Sequence, residues 1–204
     1  MLGKVLDIVR SWHDGSCPGA PPDAARAVAR FELRAWGAAG DRARGLLGRL
    51  AGPRQRERLV DHYVLLADRA DCVKVRDGRL KVKWALDRPA GLTAWSAPCW
   101  ADLRRGRRSK SPAGDAAGAQ PAVVTVHKER ERFLLDGVVA EVTRMTLPGP
   151  GHVMHTVGIE GPDLRTVLVL ARRLQLDPAD NRPVHHALED LTPGDWPGSA
   201  ITRA

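Results

Sequence analysis

The hairpin signal between Cys72 and Trp84 restricts this chain more than any other segment. Asp77-Gly78 favours a two-residue turn, and residues flanking such a turn pair across the ladder, so Arg76 faces Arg79, Lys74 faces Lys81 and Cys72 faces Lys83. Strand side chains alternate between faces. Lys74, Arg76, Arg79, Lys81 and Lys83 therefore share one face, and Val73, Val75, Leu80, Val82 and Trp84 the other. Like charges set opposite one another weaken a sheet, so that row of cations requires open water or an anionic ligand.

A second segment repeats the pattern. Val123 to Leu135 predicts a strand, Asp136-Gly137 a turn and Val138 to Thr146 the returning strand, with Lys128, Arg130 and Arg132 on one face. Further strands are expected over 29–36, 58–67 and 153–160. One helix is expected over 41–50, burying Leu46, Leu47 and Leu50; a second, capped by Asp163 and running to about Leu176, buries Leu164, Val167, Leu168 and Ala171. Cations on one face of several strands invert what the inside of a sandwich needs. A barrel resolves the conflict, with the cationic faces lining a wet lumen and the apolar faces packed outward against the helices. The expected fold is α+β, a closed eight-stranded antiparallel barrel with helices outside.

The barrel domain is expected over 29–190, preceded by a short amphipathic helix and a Gly/Pro/Ala-rich linker in 1–28, interrupted by a flexible basic loop at 101–121 and followed by a Pro- and Gly-containing tail at 191–204. Lys and Arg outnumber Asp and Glu by 32 to 24, which favours anionic partners. The basic run Arg104 to Lys110 lacks interleaved aromatics and reads as a solvated loop, not a nucleic-acid patch. Cys17, Cys72 and Cys99 are odd in number and without CxxC spacing, so the expectation is a reduced, cytoplasmic chain with no disulfide framework. Neither a signal peptide nor a run of roughly 20 apolar residues is evident, so no membrane association is expected. His152, His155, His185 and His186 show no metal-ligand spacing and read as surface or loop residues. Tyr63 reads as a buried aromatic with a satisfied hydroxyl, or as a residue closing the barrel or touching substrate. Trp84, Trp95 and Trp100 read as packing residues.

Arg offers forked donors to phosphate oxygens and Lys a compact charge, so a cationic lumen suits a small phosphorylated anion. Glu32, Glu141 and Glu160 each stand in a strand otherwise short of acids. Divalent ions such as Mg²⁺ are held through one or two carboxylates plus substrate phosphates.

The order of "ARFELRAW", "DHYVLLADRADCVKVRDGRLKVKW", "VTVHKERERFLLDGVVAEVTRM" and "HTVGIEG" followed by a helix resembles the CYTH superfamily of triphosphate tunnel metalloenzymes, over about Ala29 to Leu188. The superfamily includes class IV adenylate cyclases, thiamine triphosphatases and inorganic triphosphatases. The RDG hairpin is similar to that of a bacterial branch of it. The resemblance implies phosphate contacts from Arg30, Arg34, Lys74, Arg76, Lys81, Lys83, Lys128, Arg130 and Arg132, and catalytic, metal-binding roles for Glu32, Glu141 and Glu160 with Mg²⁺ or Mn²⁺. Two family acids are replaced: the E-x-E-x-K of the first strand falls on Arg30, Glu32 and Arg34, and the late E-x-E falls on Gly158 and Glu160. Three functions stay open. They are metal-assisted hydrolysis of a nucleotide or other organic triphosphate; cyclisation by a cyclase, or a lyase-type reaction of secondary metabolism; and non-catalytic binding of a nucleotide or polyphosphate. A homodimer also stays open.

Overall fold

The computed structural model describes residues 28–52, 55–66, 71–103, 122–147, 152–190 and 201–203, with Val5, Ile8, Val9 and Trp12. The expected linker, most of the basic loop and most of the tail lie outside the described residues. The chain runs β1 (Val28–Trp36), α1 (Gly37–Leu50), β2 (Gln55–Leu65), β3 (Cys72–Arg76), β4 (Arg79–Lys83), β5 (Ala85–Asp87), β6 (Thr93–Ser96), β7 (Cys99–Asp102), β8 (Ala122–Leu135), β9 (Val138–Thr146), β10 (Val153–Gly161), α2 (Leu164–Arg173), α3 (Val184–Glu189) and β11 (Ile201–Arg203). The strands form one curled antiparallel sheet in the order β5-β6-β1-β10-β9-β8-β2-β3-β4-β7, with β11 against β8. The class is α+β. No helix among the described residues is long and apolar enough to cross a membrane.

The β3–β4 hairpin has the expected register, Arg76 opposite Arg79, Lys74 opposite Lys81 and Cys72 opposite Lys83. Asp77 and Gly78 have φ of 51° and 74°, and Asp136 and Gly137 have 51° and 80°. Both turns are left-handed at both central residues, the geometry that matches the twist of the flanking strands. The sheet path has ten segments, not the eight strands expected, and two of its breaks have local causes. Only Trp84 separates β4 from β5, and its N–H donates to the Ser96 hydroxyl instead of to a ladder carbonyl. Ala97 and Pro98 separate β6 from β7, where the proline has no N–H to give.

Two apolar layers cover the outside of the sheet. Leu33, Ala35, Ala140, Val157 and Ile159 pack under α1 and α2, against Ala43, Leu47, Val167, Leu170 and Ala171. Helix α1 starts four residues before the expected position and buries Gly40, Ala43 and Leu47, leaving Leu50 exposed. A Cβ at Gly40 would lie 3.2 Å from the Ala35 carbonyl oxygen, so this helix sits directly on β1. Asp163 caps α2 as expected, accepting from the Thr166 N–H at 2.7 Å. The outer face of the hairpin, Val73, Val75, Leu80 and Val82, is covered by Val5, Val9 and Trp12 and not by the two expected helices.

Helix α3 was not expected; six residues are too few for an amphipathic period to stand out. Its Val184 and Leu188 pack on Tyr63, Val124, Val126, Met145 and Leu147, which lie on the same strand faces as the cations. Part of the inside of the sheet is thus apolar and filled. Cys99 is disulfide-bonded and Cys72 is a free thiol, in place of the fully reduced set expected. Bridging depends on how the fold brings cysteines together, which their spacing along the chain does not reveal.

If Trp12 closes the hairpin layer, Trp12→Ala lowers stability by roughly 3–5 kcal/mol in urea unfolding. A loss below about 1 kcal/mol would mean that the hairpin does not depend on this cover.

Candidate anion site inside the curled sheet

Period-two alternation aims Glu32 and Arg34 of β1, Asp61 and Tyr63 of β2, Lys74 and Arg76 of β3, Lys81 and Lys83 of β4, Lys128 and Arg130 of β8, and Glu141 of β9 toward the inside. Two ion-pair systems hold them. In the first, Asp61 is 0% exposed and accepts from Arg76 Nε at 2.6 Å, Arg76 Nη2 at 2.9 Å and Lys74 Nζ at 3.0 Å, with Lys128 Nζ at 3.1 Å. Burial alone would raise its pKa, but Lys74, the Arg76 hydrogen bond and Lys128 hold the carboxyl far below the usual range.

The second system is a chain of alternating charge across several strands. Glu57 accepts from Arg130 at 2.7 Å; Arg130 reaches Glu141 at 3.0 Å; Glu141 accepts from Arg34 Nη2 at 2.7 Å; and Arg34 Nε reaches Glu32 at 3.1 Å. Lys83 of β4 then contacts Glu32 at 3.5 Å and Glu160 of β10 at 3.7 Å, and Glu160 meets Arg30 at 3.3 Å. Burial opposes ionisation of both Glu32 and Glu141. Lys83 and Arg34 overcome it at Glu32, and Arg34 and Arg130 at Glu141, so both pKa values are lowered. Asn181 fixes the β1 backbone beneath this chain: its Oδ1 accepts from the Arg34 N–H at 2.8 Å, and its Nδ2 donates to the Glu32 carbonyl at 3.2 Å and the Gly91 carbonyl at 2.9 Å. A side-chain amide thus continues a ladder where β6 has ended.

Charge compensation is incomplete. Among the described residues, Lys81 has no carboxylate in ion-pair contact; its Nζ lies 4.9 Å from the centre of the Trp100 ring. Burial, then the charges of Lys74 and Lys83, push its pKa down to about 8. Lys128 donates to the Tyr63 hydroxyl at 2.6 Å, and burial together with Lys74 pushes its pKa down to about 7 despite Asp61. These groups surround a cavity of about 100 Å³, bounded also by Trp95, Gly158 and His185. A larger open groove, about 640 Å³, is lined by residues from both faces of β2, β8 and β9, among them Arg56, Glu57, Glu129 and Arg130. Its exposed charges include the cross-strand pairs Arg56–Glu131 and Arg58–Glu129, and it shares Arg130 with the inner cavity.

Solved structures share this architecture. A Pyrococcus horikoshii protein, PH1012, matches with a TM-score of 0.52 at 19% identity, over 78% of this chain and 98% of its own. A conserved hypothetical protein of Pyrococcus furiosus matches with a TM-score of 0.51 at 18% identity, over 76% of this chain and 98% of its own. A candidate adenylate cyclase of Bacillus halodurans matches with a TM-score of 0.50 at 11% identity, over 76% and 95%. The fold is of the CYTH type. No family model and no curated protein sequence matches the chain.

Within this CYTH-type fold, Glu32, Arg34, Lys74, Lys81, Lys83, Lys128, Arg130, Glu141 and Glu160 border one cavity. Arg76 is drawn onto Asp61 beside it, and Arg30 lies further out, 46% exposed and paired with Glu160. Arg132 is directed instead to Gln55, at 3.4 Å. His185, read above as a surface residue, is buried against Trp95 with ring centres 5.9 Å apart. Asp61, Glu57 and Asn181 were not singled out in the sequence. Asp61 shares the parity of Tyr63 in β2 and was findable on that ground; Asn181 stands outside regular structure and carried no signal.

A divalent ion does not fit these carboxylates as they stand. Glu32 and Glu141 are joined through the Arg34 guanidinium, Glu160 is held by Lys83 and Arg30, and among the described residues no group of three His, Cys, Asp or Glu side chains is placed to hold a metal. Asp61→Asn removes the counter-charge of Lys74, Arg76 and Lys128, and is expected to lower stability by roughly 3–5 kcal/mol. A melting temperature unchanged by the substitution would mean that Asp61 does not organise these cations.

Proposed function

We propose that the inner cavity binds a small phosphorylated anion, a nucleotide or other organic triphosphate, in a tunnel closed by eight strands. Support for closure is continuity: β5 follows β4 after Trp84 and pairs with β6, and β6 pairs with β1. Taking β4 with β5 and β6 with β7 as two bent strands gives a complete ring. The observation that carries the binding reading is the pair of under-compensated lysines. Lys81 and Lys128 are enclosed beside other cations and pushed toward neutrality, a state that a phosphate would reverse by supplying the missing negative charge. A cavity of about 100 Å³ suits a phosphate group or short phosphate chain, leaving the remainder of a larger ligand toward Arg30 and Arg76.

Phosphoryl transfer is the second reading, supported by Lys128 beside the Tyr63 hydroxyl at a pKa of about 7. A group near neutrality can hold or give up a proton at its Nζ. Arg34, Lys83 and Arg130 would neutralise charge developing on phosphate oxygens, and water or a ribose hydroxyl would be the attacking group. The two readings separate by experiment. Calorimetric binding of ATP, GTP, thiamine triphosphate and tripolyphosphate is measured beside release of phosphate, pyrophosphate and cyclic nucleotide. Binding without any of these products leaves a binding module and rejects turnover of these substrates.

Lys81→Ala is expected to weaken tripolyphosphate binding at least tenfold while leaving the melting temperature within about 2 °C, because among the described residues Lys81 has no ion pair to lose and gives up only its contact with the Trp100 ring. Unchanged affinity would remove Lys81 from the site. Both lysines lose charge as pH rises through about 7 and 8, so affinity should fall between pH 6 and pH 9, with protons taken up on binding at neutral pH. Affinity that rises or stays level over that range would contradict the assignment.

A further inference from the structure

Arg34 of β1, Gly158 of β10 and Glu141 of β9 are consecutive partners across three strands. The Arg34 side chain extends over Gly158 to reach Glu141 at 2.7 Å, two strands away, while its Nε holds Glu32 at 3.1 Å. This path exists because position 158 has no side chain. A Cβ there would lie 2.6 Å from Arg34 Nη2 and 2.8 Å from Cζ, closer than real contacts allow. The guanidinium is buried, and the neighbouring Glu141 and Glu32 keep it charged against the effect of burial. Its backbone is pinned by Asn181.

We infer that Arg34, admitted by Gly158, is a built-in cation standing where Glu32 and Glu141 would otherwise share a divalent ion, so that the cavity takes a metal-free phosphorylated anion. The inference rests on the anion-binding reading above and makes it more specific. A divalent ion at these carboxylates would have to displace a guanidinium that already satisfies one oxygen of each and is held by a planar fork of donors. Removing a buried charge from its partners is strongly unfavourable, so the displacement has a high barrier in free energy. With that position filled, Lys74, Lys81, Lys83 and Lys128 are left to meet the phosphate oxygens themselves. Mg²⁺ in solution then competes for the ligand, since it binds the phosphates that these lysines need. Gly158 is accordingly a specificity-determining residue, choosing between an arginine and a metal at one point in the site.

Tripolyphosphate binding to the full chain is measured by calorimetry in EDTA and in excess Mg²⁺. The wild-type chain is expected to bind in EDTA, with an affinity equal to or higher than in Mg²⁺. Binding that requires Mg²⁺ overturns the inference and leaves the anion reading standing; no binding in either condition overturns both. Arg34→Gln vacates the position, so Mg²⁺ should raise both its tripolyphosphate affinity, at least tenfold over EDTA, and its melting temperature without ligand. A response to Mg²⁺ equal to that of the wild type overturns the inference. Gly158→Ala, checked for folding by its melting temperature, should lose at least tenfold in EDTA; unchanged affinity removes Gly158 from the role. Should either variant fail to fold, the wild-type comparison between EDTA and Mg²⁺ decides alone.

Discussion

The buried contact between Asp61 and three cations sets the terms for everything inside this sheet. Lys74, Arg76 and Lys128 come from strands on either side of β2, and without a common counter-ion their mutual repulsion would oppose the curl that brings them together. Desolvating a charge is unfavourable by several kcal/mol unless a partner is supplied. Asp61 supplies it at one end of the cavity. The chain from Glu57 through Arg130, Glu141, Arg34, Glu32 and Lys83 to Glu160 does so across the remainder. What stays uncompensated is confined to one small space, and that confinement turns a cationic sheet face into a candidate site.

Packing and charge act together here. The outer layers, α1 and α2 on one side and Val5, Val9 and Trp12 on the other, bury the apolar strand faces and so fix which faces turn inward. A slip of one residue in any strand would exchange its cations for its aliphatic residues. On the inner side, α3 fills part of the space with Val184 and Leu188, beside a cavity of about 100 Å³. Burial and the neighbouring lysines depress the pKa values of Lys81 and Lys128 in this space.

The sequence was most legible where local chemistry determines geometry. Asp77-Gly78 dictates a turn type, the turn dictates register, and register with alternation places each hairpin cation on its face, so the β3–β4 pairing could be written down residue by residue. The same logic placed Lys128 and Arg130. It failed where a partner comes from far along the chain. Alternation sets Arg34 beside Glu32 on β1, but nothing near Glu141 announces that the same guanidinium reaches it across Gly158, and the absence of a side chain at Gly158 acquires meaning only once β1, β10 and β9 lie side by side. Arg132, on the correct face by alternation, is turned aside by Gln55 from β2. Asn181 and α3 act from an irregular stretch without periodic pattern, which explains why residues fixing the floor of the site went unread.

The proposed site requires that Lys81 and Lys128 be under-compensated in the free chain, Lys128 in spite of Asp61, and that a phosphorylated anion complete their counter-charge. Side-chain NMR of selectively labelled lysines measures it directly, by titrating Lys81 and Lys128 with and without tripolyphosphate. Titration near pH 8 and pH 7 is expected in the free chain, with a shift of both toward the ordinary lysine range in the complex. Titration in the ordinary range from the start, or values that do not move when the anion is added, would contradict it.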